Sequence, residues 1–204
     1  MIVVQLNVDQ AAVALGVSHV QVGRLIDAGE LDARRFGRSW AIDSDSLRRY
    51  RLLRPRRGRP LTERASWQRL LDAEPPVNID EAIDLARLVR RRSQNERVRI
   101  LPALYQRIED DPRVHHGGAH AALHHGAGIG RSDQRDIYIS AGDADSFRAD
   151  YRANPSGDDP NVVLRIVGEP MAFGDRFAPP IVAVLDLLDA ADTRAAAEAL
   201  RVVR

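Results

Sequence analysis

The chain has 204 residues, 30 basic and 29 acidic for a net charge of +1, and no cysteine, so disulfides and thiolate metal sites are excluded. No apolar run reaches the roughly 18 residues a membrane helix needs, and the start MIVVQLNVDQ lacks the regions of a secretory signal. A cytoplasmic protein of one or two domains, with no membrane partner, is expected.

Asn7 precedes the apolar run Val8 to Leu15 with Gln10 three residues on, the pattern of a capping box, and Gly16 ends the predicted helix. Ser18 and Gln21 repeat the pattern for a second helix, with Val22, Leu25 and Ile26 inward and Gly29 at its end. Two short helices joined by Gly16-Val17-Ser18 form a helix-turn-helix, whose second helix can enter a major groove. Ser18, His19, Val20, Gln21 and Arg24 are the candidates to face DNA: Gln suits adenine, Arg suits guanine, and Val suits the thymine methyl. Gly23 costs about 1 kcal/mol against Ala in a helix interior, so it either admits a close neighbour or is a tolerated weakness.

Leu31 to Phe36 and Ser39 to Ile42 flank Gly37-Arg38, a Gly-X loop suited to a type II′ hairpin. Arg34, Arg35 and Arg38 crowd this wing, and Ser44 or Asp45 is expected to cap a third helix that turns Leu47 and Tyr50 inward, with Trp40 anchoring the hairpin to it. Arg48, Arg56 and Arg57 belong to an arginine run reaching from the third helix into Pro55, Gly58 and Pro60. Such a stretch can follow a phosphate backbone or serve as a solvated tether. The charge is divided: residues 1 to 66 carry +5 and residues 67 to 204 carry −4.

Downstream, Asn78 with Glu81 predicts a helix to about Arg92. Val98 to Ile100 is expected as a strand and Pro102 to Asp110 as a helix; Val114 to His116 leads into a Gly-Gly turn and a helix Ala119 to His125. Asp136 to Ser140 reads as a strand, Asp143 to Tyr151 as a helix and Asn161 to Val167 as a buried strand. Helices Ala178 to Ala190 and Thr193 to Val203 close the chain. The expected organisation is α+β: a winged helix-turn-helix DNA-binding domain (1–53), an Arg/Pro-rich linker (54–66) and a mixed α/β domain with a small sheet (67–204).

The segment Val8 to Arg51, with its LGVS turn, its RLIDAGEL helix end and its RxGRxWxI wing, resembles the excisionase and MerR-type winged helix-turn-helix. That resemblance implies base reading by the second helix and phosphate contacts from the wing. Residues 97 to 204 resemble the C-terminal domain of AbiEi-type antitoxins in the blocks DPRVHHGGAHAALHHGAGI, DIYIS, NVVLRIV and APPIVAVLDLLDAADTRAAAEAL. The usual AbiEi amino-terminal winged helix is not of excisionase type, so promoter geometry is not carried over. This second resemblance implies a repressor of its own operon that also neutralises a nucleotidyltransferase toxin encoded beside it, with Asn161, Arg165, Asp186, Asp192 and Arg194 in the matching blocks. Pairing of Arg165 or Arg194 with Asp186 is expected to be structural. Winged modules act on paired half-sites, so the operator is expected to be an inverted repeat bound by a homodimer or by two cooperating monomers.

Nucleotidyltransferases set a Gly-Gly or Gly-Ser turn before a strand with two carboxylates one residue apart, because two metal ions need both. Gly117-Gly118 precedes Asp136-Ile137-Tyr138, but Tyr138 stands in the second carboxylate's place and Val162 to Val167 offers no acid. The second domain reads as nucleotidyltransferase-like but degenerate, with no catalytic residue and no cofactor expected. His120 and His124 lie at metal-ligand spacing, with His116 or Asp136 as a third candidate ligand, yet no HExxH motif is present and no metal is expected. Two other classes stand beside the antitoxin reading. One is a recombination accessory factor. The other is a ligand-responsive regulator with a pocket built from Trp67, Tyr105, Tyr138, Phe147, Tyr151, Phe173 and Phe177.

Overall fold

The computed structural model describes residues 5–37, 39–54, 61–72, 74–155, 159–168, 173 and 175–203. It has a small helical domain with a three-stranded sheet, followed by a larger unit in which helices cover both faces of a four-stranded sheet.

A two-residue strand β1 (Gln5–Leu6) leads into α1 (Val8–Leu15). The capping box forms: Gln10 N–H donates to Asn7 Oδ1 at 2.8 Å and Asn7 N–H donates to Gln10 Oε1 at 2.9 Å. Gly16, at φ 64°, ends the helix in the left-handed conformation, and its N–H reaches back to the carbonyls of Ala12 and Val13. Ser18 Oγ then accepts the Gln21 N–H at 3.2 Å and starts α2 (His19–Asp27). β2 (Ala33–Phe36) and β3 (Ser39–Asp43) pair antiparallel from Ala33↔Ile42 to Phe36↔Ser39, and β1 adds to the far side of β3. Gly37 turns between them at φ 58°, while the turn's Arg38 lies outside the described residues. α3 (Ser44–Leu53) is capped by Asp43, whose Oδ1 accepts the Asp45 N–H at 2.7 Å. This corrects the expected caps Ser44 and Asp45, because the helix starts one residue earlier and takes Ser44 as its first member. Ala11, Ala12, Val22, Leu25, Leu31, Ile42 and Leu47 form the core, with Trp40 and Tyr50 packed against it as anticipated.

The stretch 54–66, expected as a linker, ends inside a helix: α4 spans Glu63–Asp72. Residues 55–60, which hold Arg56 and Arg57, lie outside the described residues. α5 (Ile79–Leu88) stops short of the predicted Arg92. β4 (Gln94–Val98) lies earlier than the predicted strand, because Gln94 to Val98 pair with Ile166 to Val162 of the later strand β7 and leave Ile100 outside. A single 3-10 turn (Pro102–Leu104) precedes α6 (Tyr105–Asp110), followed by β5 (His115–His116), α7 (Gly118–His124), β6 (Arg135–Ser140), α8 (Ala144–Asp150), β7 (Val162–Val167), α9 (Pro180–Asp189) and α10 (Thr193–Leu200).

The sheet order is β4-β7-β6-β5, with β6 and β7 parallel and both outer pairs antiparallel. Strand periodicity divides its two faces. Ile137, Ile139, Val162, Leu164 and Ile166 pack with Ile108, Phe147 and Tyr151 of α6, α8 and the turn after it. Tyr138 and Val167 face a second layer that includes Ala82 and Ala86 of α5, Ala121 and Ala122 of α7, the apolar side of α9 and Ala196 of α10. All six residues of β7 are buried, as a strand covered on both faces requires. Asn161, just before β7, holds the strand edge together, its side chain accepting the Ile100 N–H at 3.0 Å and donating to the Ile100 carbonyl at 2.8 Å.

The two units are joined by more than the chain. Leu53, the last residue of α3, packs into the layer built on α9, and Arg87 of α5 donates to the Leu52 carbonyl at 2.8 Å. Arg90 pairs with Glu30 at 2.6 Å, and Arg97 bridges Asp43 at 3.0 Å and Asp32 at 3.5 Å.

Candidate nucleic-acid interface

α2 separates its two sides as an amphipathic helix should. Val22 and Leu25 are buried under α1, while His19, Val20 and Arg24 are exposed, Val20 at 67%. Gln21 is half-buried. Ser18 spends its hydroxyl on capping, so its contribution is to aim the helix. His19 Nε2 lies 3.1 Å from Asp9 of α1 in an exposed pair. Gly23 shares the exposed side, and a Cβ placed there would meet nothing within 4 Å. Among the described residues no neighbouring helix therefore requires that glycine.

On the wing, Arg34 and Arg35 are exposed and stand opposite Ala41 and Trp40. The Arg35 guanidinium lies 5.9 Å from the Trp40 ring centroid, which splints a long flexible side chain on an anchored aromatic. Phe36, 62% exposed beside the turn, is not among the site residues expected from the sequence. The signal was available, since in a hairpin alternation places Phe36 on the same face as Arg34. Arg48, grouped with the DNA-facing arginines from the sequence, is held by Asp45 at 2.6 Å and borders the cleft between the two units. Its neighbour Arg49 pairs with Asp32 at 3.2 Å. Arg38, Arg56 and Arg57 lie outside the described residues.

The second unit holds a buried charge network at the place where the sequence suggested a degenerate catalytic centre. Arg165 donates two bonds to Asp136 Oδ1, at 2.9 and 2.7 Å, and one to Asp189 at 2.7 Å. Arg92 donates to Asp186 at 2.8 Å and to Asp189 at 2.5 Å. Tyr138 donates its hydroxyl to Asp186 at 2.7 Å, and Gly118 N–H donates to the other Asp186 oxygen at 3.1 Å. The expected Arg165–Asp186 pair is thus present at 3.3 Å but is one edge of a larger network. Arg194 is exposed and takes no part, while Asp192 caps α10 through the Ala195 N–H at 2.9 Å.

Burial is the largest influence on Asp136 and Asp189. It pushes the Asp136 carboxyl above the usual carboxylate range against the pull of Arg165. It acts on Asp189 in the same sense, but Arg92 and Arg165 together hold that carboxyl below its ordinary value. Two glycines allow the approach. A Cβ on Gly117 would stand 2.6 Å from Asp186 Oδ2, and one on Gly118 would stand 2.5 Å from Asp136 Oδ2.

The histidines do not converge as a ligand set. His124 stacks on Phe177 at 3.8 Å and lies 3.3 Å from Asp175. His125 is bonded to the Ala178 carbonyl at 2.9 Å, His115 to the Asp175 carbonyl at 3.1 Å, and His120 touches the Arg135 guanidinium. Among the described residues no group of three metal-ligating side chains forms. The aromatics proposed for an effector pocket pack in layers instead. Trp67, Tyr138 and Phe173 meet edge to face, and Phe147 lies against Tyr151 with ring centroids 4.6 Å apart. Among the described residues no helix is long and apolar enough to cross a membrane.

Residues 6–52 match the family model of a helix-turn-helix domain, in agreement with the geometry of α1 to α3 and supporting a DNA-binding regulator. No curated protein and no solved structure matches the chain.

Proposed function

We propose that the protein is a sequence-specific transcriptional repressor that binds operator DNA through α2 and the wing. In this reading Gln21 and Arg24 touch base edges, Val20 meets a thymine methyl, and Arg34, Arg35 and Arg38 hold phosphates. The observation that carries the reading is the outward row His19, Val20 and Arg24, backed by the buried Val22 and Leu25. The arginines of the wing and of the stretch beyond α3 add salt-sensitive affinity. The operator is an inverted repeat, occupied by a homodimer or by two cooperating monomers.

The larger unit is the antitoxin module of a type IV toxin-antitoxin pair, countering a nucleotidyltransferase toxin in the cytoplasm while the whole protein represses its own operon. Support comes from the spaced blocks between residues 97 and 204 that resemble AbiEi antitoxins. The unit is not an enzyme in this reading. Asp136 already serves Arg165, and Tyr138 and Arg165 stand where metal-holding carboxylates would be needed.

Selection of bound duplexes from a random pool, followed by footprinting on the promoter of its own gene, tests the DNA reading. Recovery of one enriched palindromic site is expected, and failure to retain any duplex at low salt would overturn it. Co-purification with the product of the adjacent gene tests the antitoxin role separately: capture of a nucleotidyltransferase supports it, and an integrase as neighbour contradicts it.

A further inference from the structure

At the β5 side of the larger sheet two arginines, Arg135 and Arg176, approach the histidines His116 and His120. Arg135 opens β6, and its guanidinium lies 4.9 Å from the Tyr105 ring centroid, touches the His120 imidazole and stands 3.4 Å from Glu109. Arg176 is set beside β5, where the His116 N–H donates to its carbonyl at 2.7 Å. The Arg176 guanidinium donates to the backbone carbonyl of Asp111 at 2.7 Å. The Asp111 carboxylate is occupied by Arg113 at 2.6 Å. Among the described residues, then, Arg176 has no carboxylate of its own. His116 of β5 is buried with its ring centroid 5.8 Å from that of His120, and the charges of His120, Arg176, Arg135 and His115 act on its imidazole.

Two details point to an absent acceptor. The Nε–H groups of Arg135 and of Arg176 are both buried with no acceptor among the described residues. Native folds seldom leave such donors unmatched, because water has been lost and nothing replaces it. In addition, Arg135 rests one arm on an imidazole where arginine ordinarily meets a carboxylate. Burial and the cation beside it lower that imidazole's pKa.

We propose that this edge, formed by Arg135, Arg176, His116 and His120, binds a phosphate group. A tetrahedral oxyanion presents several acceptors, which suits two guanidinium forks and an imidazole approaching from different sides. The phosphate is either free or carried by a nucleotide. The exposed Arg131 acts on His120 from the solvent side and supplies long-range attraction. The site lies in the second unit and does not depend on the DNA-binding role of the first.

The test is calorimetric titration of the full-length protein, without DNA, using inorganic phosphate and then AMP, ADP and ATP. Saturable binding at one site per chain is expected. Arg176→Gln and Arg135→Gln should each weaken it about tenfold, the value of one lost charge-assisted bond, while Arg201→Gln on the exposed C-terminal turn leaves it unchanged. Thermal melts accompany each variant; if Arg135→Gln does not fold, Arg176→Gln and Arg176→Lys carry the comparison. Tighter binding of nucleotides than of phosphate identifies a nucleotide as the source, equal binding identifies free phosphate, and either supports the site. Absence of saturable binding by the unmodified protein, or equal binding by the Arg176 variants, overturns it.

Discussion

Tyr138 on β6 and Arg165 on β7 are register partners at the centre of the larger sheet, with the guanidinium 5.7 Å from the ring centroid. Both reach the same oxygen of Asp186, Oδ1, which Arg92 also contacts. The carboxylate is thus neutralised from within the protein, by Arg165 and Arg92. Burying a charge is tolerable only when it is paired and bonded in this way.

Removing one cation should therefore be costly. Arg165→Met strips Asp136 of its cation and leaves Asp186 and Asp189 with Arg92 alone, and we expect a loss of about 3–5 kcal/mol. Urea denaturation followed by circular dichroism measures it. The exposed Arg194→Gln serves as reference and should stay within about 0.5 kcal/mol of the parent.

Gly118 should resist substitution for two reasons that act together. Its φ is 53°, and its Cβ would meet Asp136 Oδ2 at 2.5 Å. The left-handed conformation alone costs an L-residue roughly 1–2 kcal/mol, and displacing a buried carboxylate adds to that. Gly118→Ala should lower the melting temperature clearly. Gly128→Ala, where nothing lies within 4 Å, should not.

His116 imposes a pH dependence on stability. Burial, followed by the fields of His120, Arg176, Arg135 and His115, pushes its pKa down to about 4, against about 6.5 in an unfolded chain. Between those values the unfolded chain binds a proton that the folded one refuses, so stability falls as pH drops from about 6.5 toward about 4. His116→Gln should flatten this part of the melting-temperature profile. An unchanged slope would assign it to another group.

DNA binding should respond differently to the two sets of side chains. Arg24→Ala and Gln21→Ala are expected to relax sequence preference, at about 1–3 kcal/mol per lost base contact. Arg34→Ala and Arg35→Ala should weaken binding to every duplex and reduce its dependence on salt. Gel-shift titrations at two salt concentrations separate the outcomes, and equal affinity of all four variants for every probe contradicts the assignment.

Much of the N-terminal part was legible because its signals are local. The Asn7–Gln10 box, the stop at Gly16 and the inward set Val22 and Leu25 follow from spacing alone, since a helix repeats every 3.6 residues and its ends need specific partners. The third helix's cap was misplaced by one residue because Asp43, Ser44 and Asp45 all carry a suitable oxygen, and only the end of β3 selects among them. α4 went unseen: the arginine- and proline-rich stretch before it masked a helix that packs only Ser66 and Leu70 fully inward.

In the second unit the chain itself determined the alternation of helices and strands, the buried character of β7 and the glycine pair before β6. Tertiary structure alone decided the fate of three consecutive arginines: Arg90 reaches across to Glu30, Arg91 stays in solvent, and Arg92 enters the core to meet Asp186 and Asp189. Their local sequences are nearly the same. What separates them is the position of carboxylates as many as 97 residues away, and the pairing of charges over such distances is settled by how the layers pack.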